Sequence, residues 1–267
     1  MIHIATVHWQ TDRWISIQQS YLRKHLPSPY RIYAWLNDVP AASAAGFYYA
    51  CSEPVDPHAV KLNILADIIC LSSGHDEDIL IFLDGDAFPI ADVEPLLREK
   101  LGTHKLIAVQ RLENNGDIQP HPCFCATTVG FWRKIKGDWK RGHAWRNKDG
   151  QAVTDVGGNL LGQLQEHRVE WHPMLRSNKR NLHPVLFGVY ADLIYHHAAG
   201  FRQAVTRHDK GGTKKSLLKR LSFALPRPFR KHLNQVFFEK YVVENNLLSE
   251  RVFDTIQQDA FFYKEFI

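Results

Sequence analysis

A run of apolar residues that ends on two carboxylates constrains this chain more than any other stretch. Residues 79–83 are all apolar, and Asp84, Gly85 and Asp86 follow them directly. An uninterrupted apolar run of this kind is typical of a central strand that helices cover on both faces. Two neighbouring carboxylates resist ionisation unless a cation lies beside them. The stretch therefore predicts a buried strand whose end binds a metal ion.

The segments around this run alternate between strand and helix patterns. Strands are predicted over residues 2–7, 30–36 and 105–110, and apolar residues at helical spacing follow the first two. This order predicts an α/β fold, an open sheet with helices on both faces. Ligands of such sheets bind beyond the carboxyl ends of the strands, which is where Asp84 and Asp86 lie.

The oxygen ligands at this strand end indicate the kind of ion. Carboxylates suit Mg²⁺ or Mn²⁺ better than Zn²⁺, and proteins commonly hold Mg²⁺ by one or two carboxylates together with the phosphates of a substrate. A plain turn after the strand is the alternative, because Asp and Gly are common in turns.

An apolar strand followed by D-x-D and a small or apolar continuation resembles the metal-binding motif of GT-A fold nucleotide-sugar glycosyltransferases. It is most similar to that of the bacterial lipooligosaccharide and polysaccharide enzymes. The resemblance implies a Rossmann-like α/β domain over residues 1–208, with a mixed, mainly parallel sheet flanked by helices. It also implies Mn²⁺ or Mg²⁺ on Asp84 and Asp86. The donor would be a nucleotide-diphosphate sugar, a UDP-sugar, and Gly85 would contact it.

A second motif lies more than a hundred residues later. His197, Gly200 and Arg202 form H-x-x-G-x-R, which is similar to the H-x-x-G-x-K of the same enzymes. The resemblance implies that His197 completes the metal shell, while Gly200 and Arg202 hold the diphosphate. Arg grips a phosphate bidentately. His196 adjoins His197, so the choice between the two ligands stays open; the spacing to Gly200 favours His197.

Asp155 has two interpretations. It precedes a glycine pair and an apolar helix pattern, so it fits a helix N-cap. The resemblance implies instead that Asp155 is a catalytic carboxylate that faces the acceptor. If Asp155 takes the proton of the acceptor hydroxyl, the reaction inverts the anomeric centre; if it only binds the sugar, a retaining reaction stays open.

The donor pocket has further candidates at the ends of the first strands. The resemblance implies that Thr6, Val7 and His8, at the end of the first strand, bind the base and ribose. Asp38, after the second strand, and Lys61, on the following helix, are candidates for the same pocket.

The positive charge of the chain is concentrated in one segment. Residues 207–231 contain nine Lys or Arg and one acid, a net charge of +8, whereas the whole chain carries +5. The remainder therefore sums to about −3, which argues against a nucleic-acid-binding protein. We expect residues 209–267 to form a basic, amphipathic helical extension. Its residues 214–238 would lie on an anionic membrane surface, or pack on the catalytic domain as the alternative.

The amino terminus has no signal-peptide pattern, and no apolar stretch is long enough to span a membrane. We therefore expect a cytoplasmic protein, with a peripheral position at the inner face of the cytoplasmic membrane as a second location. The four cysteines do not have the spacing of a zinc ribbon, and we expect reduced thiols. They are Cys51, Cys70, Cys123 and Cys125.

These observations predict a metal-dependent hexosyltransferase that moves a sugar to a hydroxyl of a saccharide or lipid-linked acceptor in cell-surface glycan synthesis. Two other classes remain as alternatives. A D-x-D phosphatase places its motif near the amino terminus and continues toward Gly-Thr, whereas Ala87, Phe88 and Pro89 follow here. A non-catalytic basic adaptor that binds membrane or nucleic acid leaves Asp84 and Asp86 without a role.

Overall fold

Twelve strands and six α-helices make up the described part of the chain, residues 1–205 and 226–267 of a computed structural model. The strands are β1 (Ile2–Trp9), β2 (Tyr30–Asn37), β3 (Tyr49–Cys51), β4 (Ile79–Asp84), β5 (Ala87–Pro89), β6 (Leu106–Val109), β7 (His121–Thr128), β8 (Trp145–Arg146), β9 (Ala152–Val153), β10 (His172–Met174), β11 (Gly188–Tyr190) and β12 (Ile194–His196). The helices are α1 (Ile15–His25), α2 (His58–Ser72), α3 (Glu94–Leu101), α4 (Val129–Ile135), α5 (Gly158–Glu166) and α6 (Arg227–Gln258).

The main sheet of the described residues has seven strands in the order β10-β6-β7-β4-β1-β2-β3. Strands β1, β2, β3 and β4 run parallel to one another, and β6 runs parallel to β10. Strand β7 is antiparallel to its two neighbours, β4 and β6. The predicted α/β fold, with a mixed and mainly parallel sheet, is confirmed.

Strand β4 is buried on both faces, as its apolar run predicts. Leu80 and Phe82 pack with helices α2, α4 and α5 on one face of the sheet. Ile81 and Leu83 pack with helices α1 and α3 on the other. Because successive side chains of a strand point to opposite faces, an uninterrupted apolar sequence is what a strand between two helical layers requires.

A second, antiparallel sheet of three strands, β11-β12-β5, lies at the carboxyl end of β4 within the described residues. Only Gly85 and Asp86 separate β4 from β5. Strand β12 pairs with β5 so that His196 lies opposite Ala87 and Tyr195 lies opposite Phe88. The second sheet thereby fixes a late segment of the chain against the D-x-D stretch.

The long helix α6 packs by its last turns on the α/β part of the chain. Val252, Phe253 and Ile256 share a buried cluster with Trp14 and Phe187. The first half of α6 is mostly exposed. The predicted boundary at 208/209 lies outside the described residues, as does the basic sequence of residues 214–225.

Two negative findings apply to the described ranges. None of their helices combines the length and apolar composition that crossing a bilayer requires. All four cysteines, which lie within these ranges, are free thiols, as expected.

Asp78 fixes the amino ends of β1 and β4. The carboxylate is 6% exposed and accepts hydrogen bonds from the Met1 amino group at 2.8 Å and from Ser73 Oγ at 2.7 Å. His3 Nε2 lies 3.1 Å from Asp78 Oδ2, the oxygen that also accepts from Ser73, whereas the Met1 amino group donates to Oδ1. Burial by itself raises the pKa of Asp78, but these hydrogen bonds hold it well below the usual range. The ionised form is therefore the one that stabilises the fold.

Replacing Asp78 by Asn should destabilise the protein in a pH-dependent way. We expect a loss of about 1–3 kcal/mol in the free energy of unfolding at neutral pH, because buried hydrogen-bond partners are left unpaired. A carboxyl whose pKa is depressed by folding stabilises the protein above its unfolded pKa of about 3.9, and this stabilisation is lost as the pH falls. The difference from the wild type should therefore shrink below about pH 4, as urea titrations at several pH values would measure.

The matched control is Asp76→Asn. Asp76 is exposed and pairs with Arg133, so its replacement should change the free energy of unfolding by less than about 0.5 kcal/mol. The stabilising role of the ionised Asp78 carboxylate would be contradicted if both variants lost the same free energy of unfolding, or if the loss for Asp78→Asn did not depend on pH.

Candidate active site

The two carboxylates of the D-x-D stretch lie at the carboxyl edge of the main sheet. Asp84 is the last residue of β4, and Asp86 immediately precedes β5. Gly85 is required between them because a Cβ at this position would lie 2.5 Å from the Val7 carbonyl oxygen and 2.8 Å from His8 Nδ1. The close contact between the ends of β1 and β4 therefore requires glycine at position 85. Gly85 also lines the cleft described below.

His196 completes a cluster with these carboxylates. Its Nε2 lies 3.6 Å from Asp84 Oδ2 and 3.5 Å from Asp86 Oδ1, and one ligand atom of each residue lies within 4.8 Å of the other two. All three side chains are largely buried. Two oxygens and one imidazole nitrogen that converge in this way fit a divalent ion such as Mn²⁺ or Mg²⁺.

The ring of His197, which the spacing to Gly200 favours as the third ligand, does not face the two carboxylates but points into the protein core. Its Nδ1 is 3.0 Å from the Tyr195 hydroxyl, and its Nε2 is 2.8 Å from Ser249 Oγ. The ring packs against Trp14 and Phe187. Burial lowers the pKa of His197 to about 3, so the ring is neutral.

Asp86 is held ionised although it is buried. Burial by itself raises its pKa, but His196 and the backbone N–H of Gly200 hold the pKa well below the usual range. The Gly200 N–H donates to Asp86 Oδ2 at 2.9 Å. A Cβ at Gly200 would lie 2.5 Å from both Asp86 Cβ and Trp14 Nε1, so only glycine allows this contact.

A cleft of about 310 Å³ opens beside the cluster. Among the predicted donor-binding residues, Val7, Gly85, Gly200 and Arg202 line it. The Arg202 guanidinium donates to the carbonyl oxygens of Ala198 and Val205, which holds it at the rim. The cleft therefore brings one cationic side chain, two glycines and one apolar side chain of the predicted donor site beside the two carboxylates.

Four other predicted residues do not line this cleft. Thr6 is buried, and its hydroxyl donates to Gln18 Oε1. His8 is buried behind Gly85, and burial lowers its pKa to about 4. Strand β1 therefore turns these two side chains inward, whereas Val7 reaches the cleft. The other two are Asp38, just after β2, and the buried Lys61 on α2.

Asp155 lies in a smaller neighbouring cleft of about 120 Å³, which shares Asp84, His58, Arg111 and His121 with the larger one. Asp155 does not cap helix α5. Gly157 occupies the N-cap position with φ 90° and makes no side-chain cap.

The carboxylate of Asp155 instead has two local partners. Its Oδ1 accepts a hydrogen bond from the Val156 N–H at 2.9 Å and lies 3.2 Å from Arg141 Nη2. The capping alternative is therefore wrong, and Asp155 faces a space that reaches the D-x-D stretch.

Three residues at this site are not among those that the sequence predicts. His58 Nε2 lies 3.1 Å from Asp84 Oδ1. Arg111 is buried and donates to the Val185 carbonyl oxygen. Burial by itself lowers the pKa of Arg111, but nearby Tyr190 and Glu113 raise it above the usual value, so the guanidinium stays charged. Burial lowers the pKa of the third residue, His121, well below the usual value.

One of the missed residues had a signal in the sequence. Arg111 directly follows the predicted strand at 105–110, at the same sheet edge as Asp84 because β6 and β4 run the same way. His121 lies at this edge because β7 runs the opposite way, which the sequence does not indicate.

Comparisons with known proteins identify similar folds only at low sequence identity. No family model matches the chain, and no curated protein matches it. The solved glycosyltransferase GlyE of Streptococcus pneumoniae TIGR4 is 14% identical, with a TM-score of 0.41, over 64% of this chain and 44% of that one. This chain thus spans less than half the length of that protein.

Two further solved structures are similar to a comparable degree. The galactosyltransferase LgtC, in complex with donor and acceptor sugar analogues, is 14% identical with a TM-score of 0.37, over 61% of this chain and 70% of that one. The catalytic domain of Drosophila β1,4-galactosyltransferase 7, in complex with xylobiose, is 12% identical with a TM-score of 0.42, over 75% and 72%.

Proposed function

We propose that the chain is a metal-dependent glycosyltransferase. It moves a sugar from a nucleotide-diphosphate sugar, a UDP-sugar, to a hydroxyl of a saccharide or lipid-linked acceptor in cell-surface glycan synthesis. The observation that carries the proposal is the convergence of Asp84, Asp86 and His196 at the carboxyl edge of a mainly parallel sheet. Such edges are where α/β sheets bind their ligands.

The residues of the cluster would hold the metal ion. Asp84 and Asp86 supply oxygen ligands and His196 supplies a nitrogen, which matches the preferences of Mn²⁺ or Mg²⁺. When bound, such an ion neutralises charge that develops on the departing diphosphate. The depressed pKa of Asp86 keeps this carboxylate ionised and ready to bind a cation.

The cleft beside the cluster would bind the donor. Arg202 at its rim is positioned to pair with a diphosphate, and its planar guanidinium suits two phosphate oxygens at once. Trp9 lines the same cleft with 40% of its surface exposed. An exposed indole beside a phosphate site offers a nucleotide base a stacking surface.

Asp155 would act on the acceptor. Its carboxylate lies in the small cleft that shares Asp84 and Arg111 with the donor side. A carboxylate so placed is able to take the proton of an acceptor hydroxyl while the oxygen attacks the anomeric carbon. This role gives an inverting reaction.

The decisive test compares the two adjacent histidines. We expect His196→Gln to weaken Mn²⁺-dependent binding of UDP on the order of 10–100-fold, because it removes a metal ligand. His197→Gln should leave this binding within about twofold, because His197 lies outside the cluster, and should lower stability by about 1–3 kcal/mol through its two buried hydrogen bonds. Isothermal titration calorimetry and thermal unfolding measure the two effects. Binding that ignores Mn²⁺, or is lost equally in both variants, would exclude the proposed metal site.

Asp155→Asn tests the catalytic role. With a panel of UDP-sugars, we expect slow Mn²⁺-dependent release of UDP in the wild type, and a rate lower by about 10²–10⁴-fold in the variant. Binding of UDP should not change, because Asp155 is not in the donor cleft. Asp149→Asn, on an exposed loop nearby, is the matched control and should keep the full rate. Unchanged UDP release in Asp155→Asn would rule out its role as the base.

We also propose that the carboxyl-terminal extension brings the enzyme to an anionic membrane surface where a lipid-linked acceptor lies. Residues 214–225 of the segment that carries this proposal lie outside the described residues. From Arg227 onward, helix α6 leaves Phe229 64% exposed and Val236 46% exposed. Their spacing of seven residues sets both on one side of the helix. The same first turns of α6 carry Arg227 and Lys231, which lie two residues from Phe229 and therefore on the other side. Exposed apolar side chains on a helix that also carries basic residues are typical of helices that bind anionic bilayers.

The double variant Phe229→Ser/Val236→Ser tests this surface. We expect its co-sedimentation with vesicles that contain anionic lipid to fall at least about tenfold, because two exposed apolar side chains that insert into the bilayer are removed. Leu71→Ser is the matched control, since Leu71 is 87% exposed on α2 and belongs to no basic segment. A double variant that sediments like the wild type would contradict the proposal.

A further inference from the structure

A second set of side chains that could hold a metal ion adjoins the D-x-D cluster, and two of its three members, His121 and Cys123, have no role in the proposed reaction. His121, Cys123 and His196 each offer one ligand atom, and these atoms all lie within 4.8 Å of one another. All three residues belong to strands at the same edge of the fold, β7 and β12. His196 is therefore common to both sets.

A local irregularity of β7 brings His121 and Cys123 together. Val109 pairs with His121 and Ala108 pairs with Cys125, so residues 122–124 have no partner on β6 and form a bulge. Within the bulge, the backbone N–H of Cys123 donates to His121 Nδ1 at 3.1 Å. A metal ion bound at His121 Nδ1 would replace that hydrogen bond. Bulges commonly redirect side chains toward functional sites.

The second ring nitrogen of His196, Nδ1, is able to bind a further partner. It is 4% exposed, and its Nδ1 has no hydrogen-bond partner among the described residues. Its Nε2 faces the two carboxylates. A buried imidazole nitrogen without a partner carries an energetic cost that an ion or a shifted ring would remove.

The two sets differ in chemistry. Asp84, Asp86 and His196 offer two hard oxygens, whereas His121, Cys123 and His196 offer two imidazoles and a thiolate. The second set suits a thiophilic ion such as Zn²⁺ or Co²⁺, for which Cys and His are the common ligands. Binding would break the S–H bond of Cys123, form a metal–sulfur bond and release the proton to solvent.

We propose that His121, Cys123 and His196 form a second metal site, for Zn²⁺ or a similar ion. Because His196 serves both sets, an ion bound to its Nδ1 adds a second positive charge beside the D-x-D cluster, which repels an ion there and inhibits the enzyme. The existence of the second site is independent of the proposed function; its inhibitory effect rests on that function.

Co²⁺ is the probe for the site itself, because a thiolate ligand gives Co²⁺ an intense charge-transfer absorption. We expect this band in the full-length wild type and in Cys125→Ser, a matched control whose thiol is also buried but lies outside the set. Cys123→Ser should lose the band, and His121→Asn should weaken Co²⁺ affinity on the order of 10–100-fold. The double variant Asp84→Asn/Asp86→Asn should keep the band, so a failure of the D-x-D proposal leaves this result intact.

No band in the wild type, or a band that persists in Cys123→Ser, would overturn the second site. Thermal unfolding of each variant verifies that it is folded, and Cys123→Ala replaces Cys123→Ser if the serine destabilises the strand. The inhibitory effect is tested with Zn²⁺ added to the Mn²⁺-dependent binding of UDP. Zn²⁺ should inhibit the wild type at concentrations at least tenfold lower than those that inhibit the Cys123 variant. Equal inhibition of both would assign the effect of Zn²⁺ to the carboxylates alone.

Discussion

The site depends on the mutual repulsion of two carboxylates that the fold forces together. Asp84 and Asp86 follow a strand that is buried on both faces, so neither can move away into solvent without withdrawing β4 from the core. The protein offsets part of this repulsion with the Gly200 N–H and the His196 ring. A divalent cation bound beside both carboxylates would offset the rest.

The pairing of β5 with β12 converts this local feature into a three-residue cluster. The two strands are far apart in sequence, and their register sets His196 opposite Ala87. A shift of one residue would exchange the two histidines, since neighbouring side chains of a strand point to opposite faces. Tyr195 and His197 instead pack into the core between the second sheet and helix α6.

The sequence predicts those parts of the fold and site that depend on local pattern. The apolar run of β4 and the position of Asp84 and Asp86 at its end are such features, and the alternation of strands and helices predicts the sheet. The histidine that faces the carboxylates could not be predicted, because strand register over a long separation decides it. His121 was missed because the antiparallel direction of β7 brings it to this edge. Thr6 and His8 turn inward whereas Val7 reaches the cleft, because adjacent residues of β1 face opposite ways.

Helix α6 is part of the mechanical support of the candidate site. Ser249 bonds to His197, Phe253 packs on Trp14, and Arg13 pairs with Glu250 at 2.9 Å. Trp14 in turn donates to the Gly200 carbonyl oxygen, directly behind Asp86. A continuous series of contacts thus connects the end of the chain to a carboxylate at the centre of the cleft. A polypeptide shortened by these last turns would lose the contacts behind Trp14 and His197, and with them the support that holds Gly200 against Asp86.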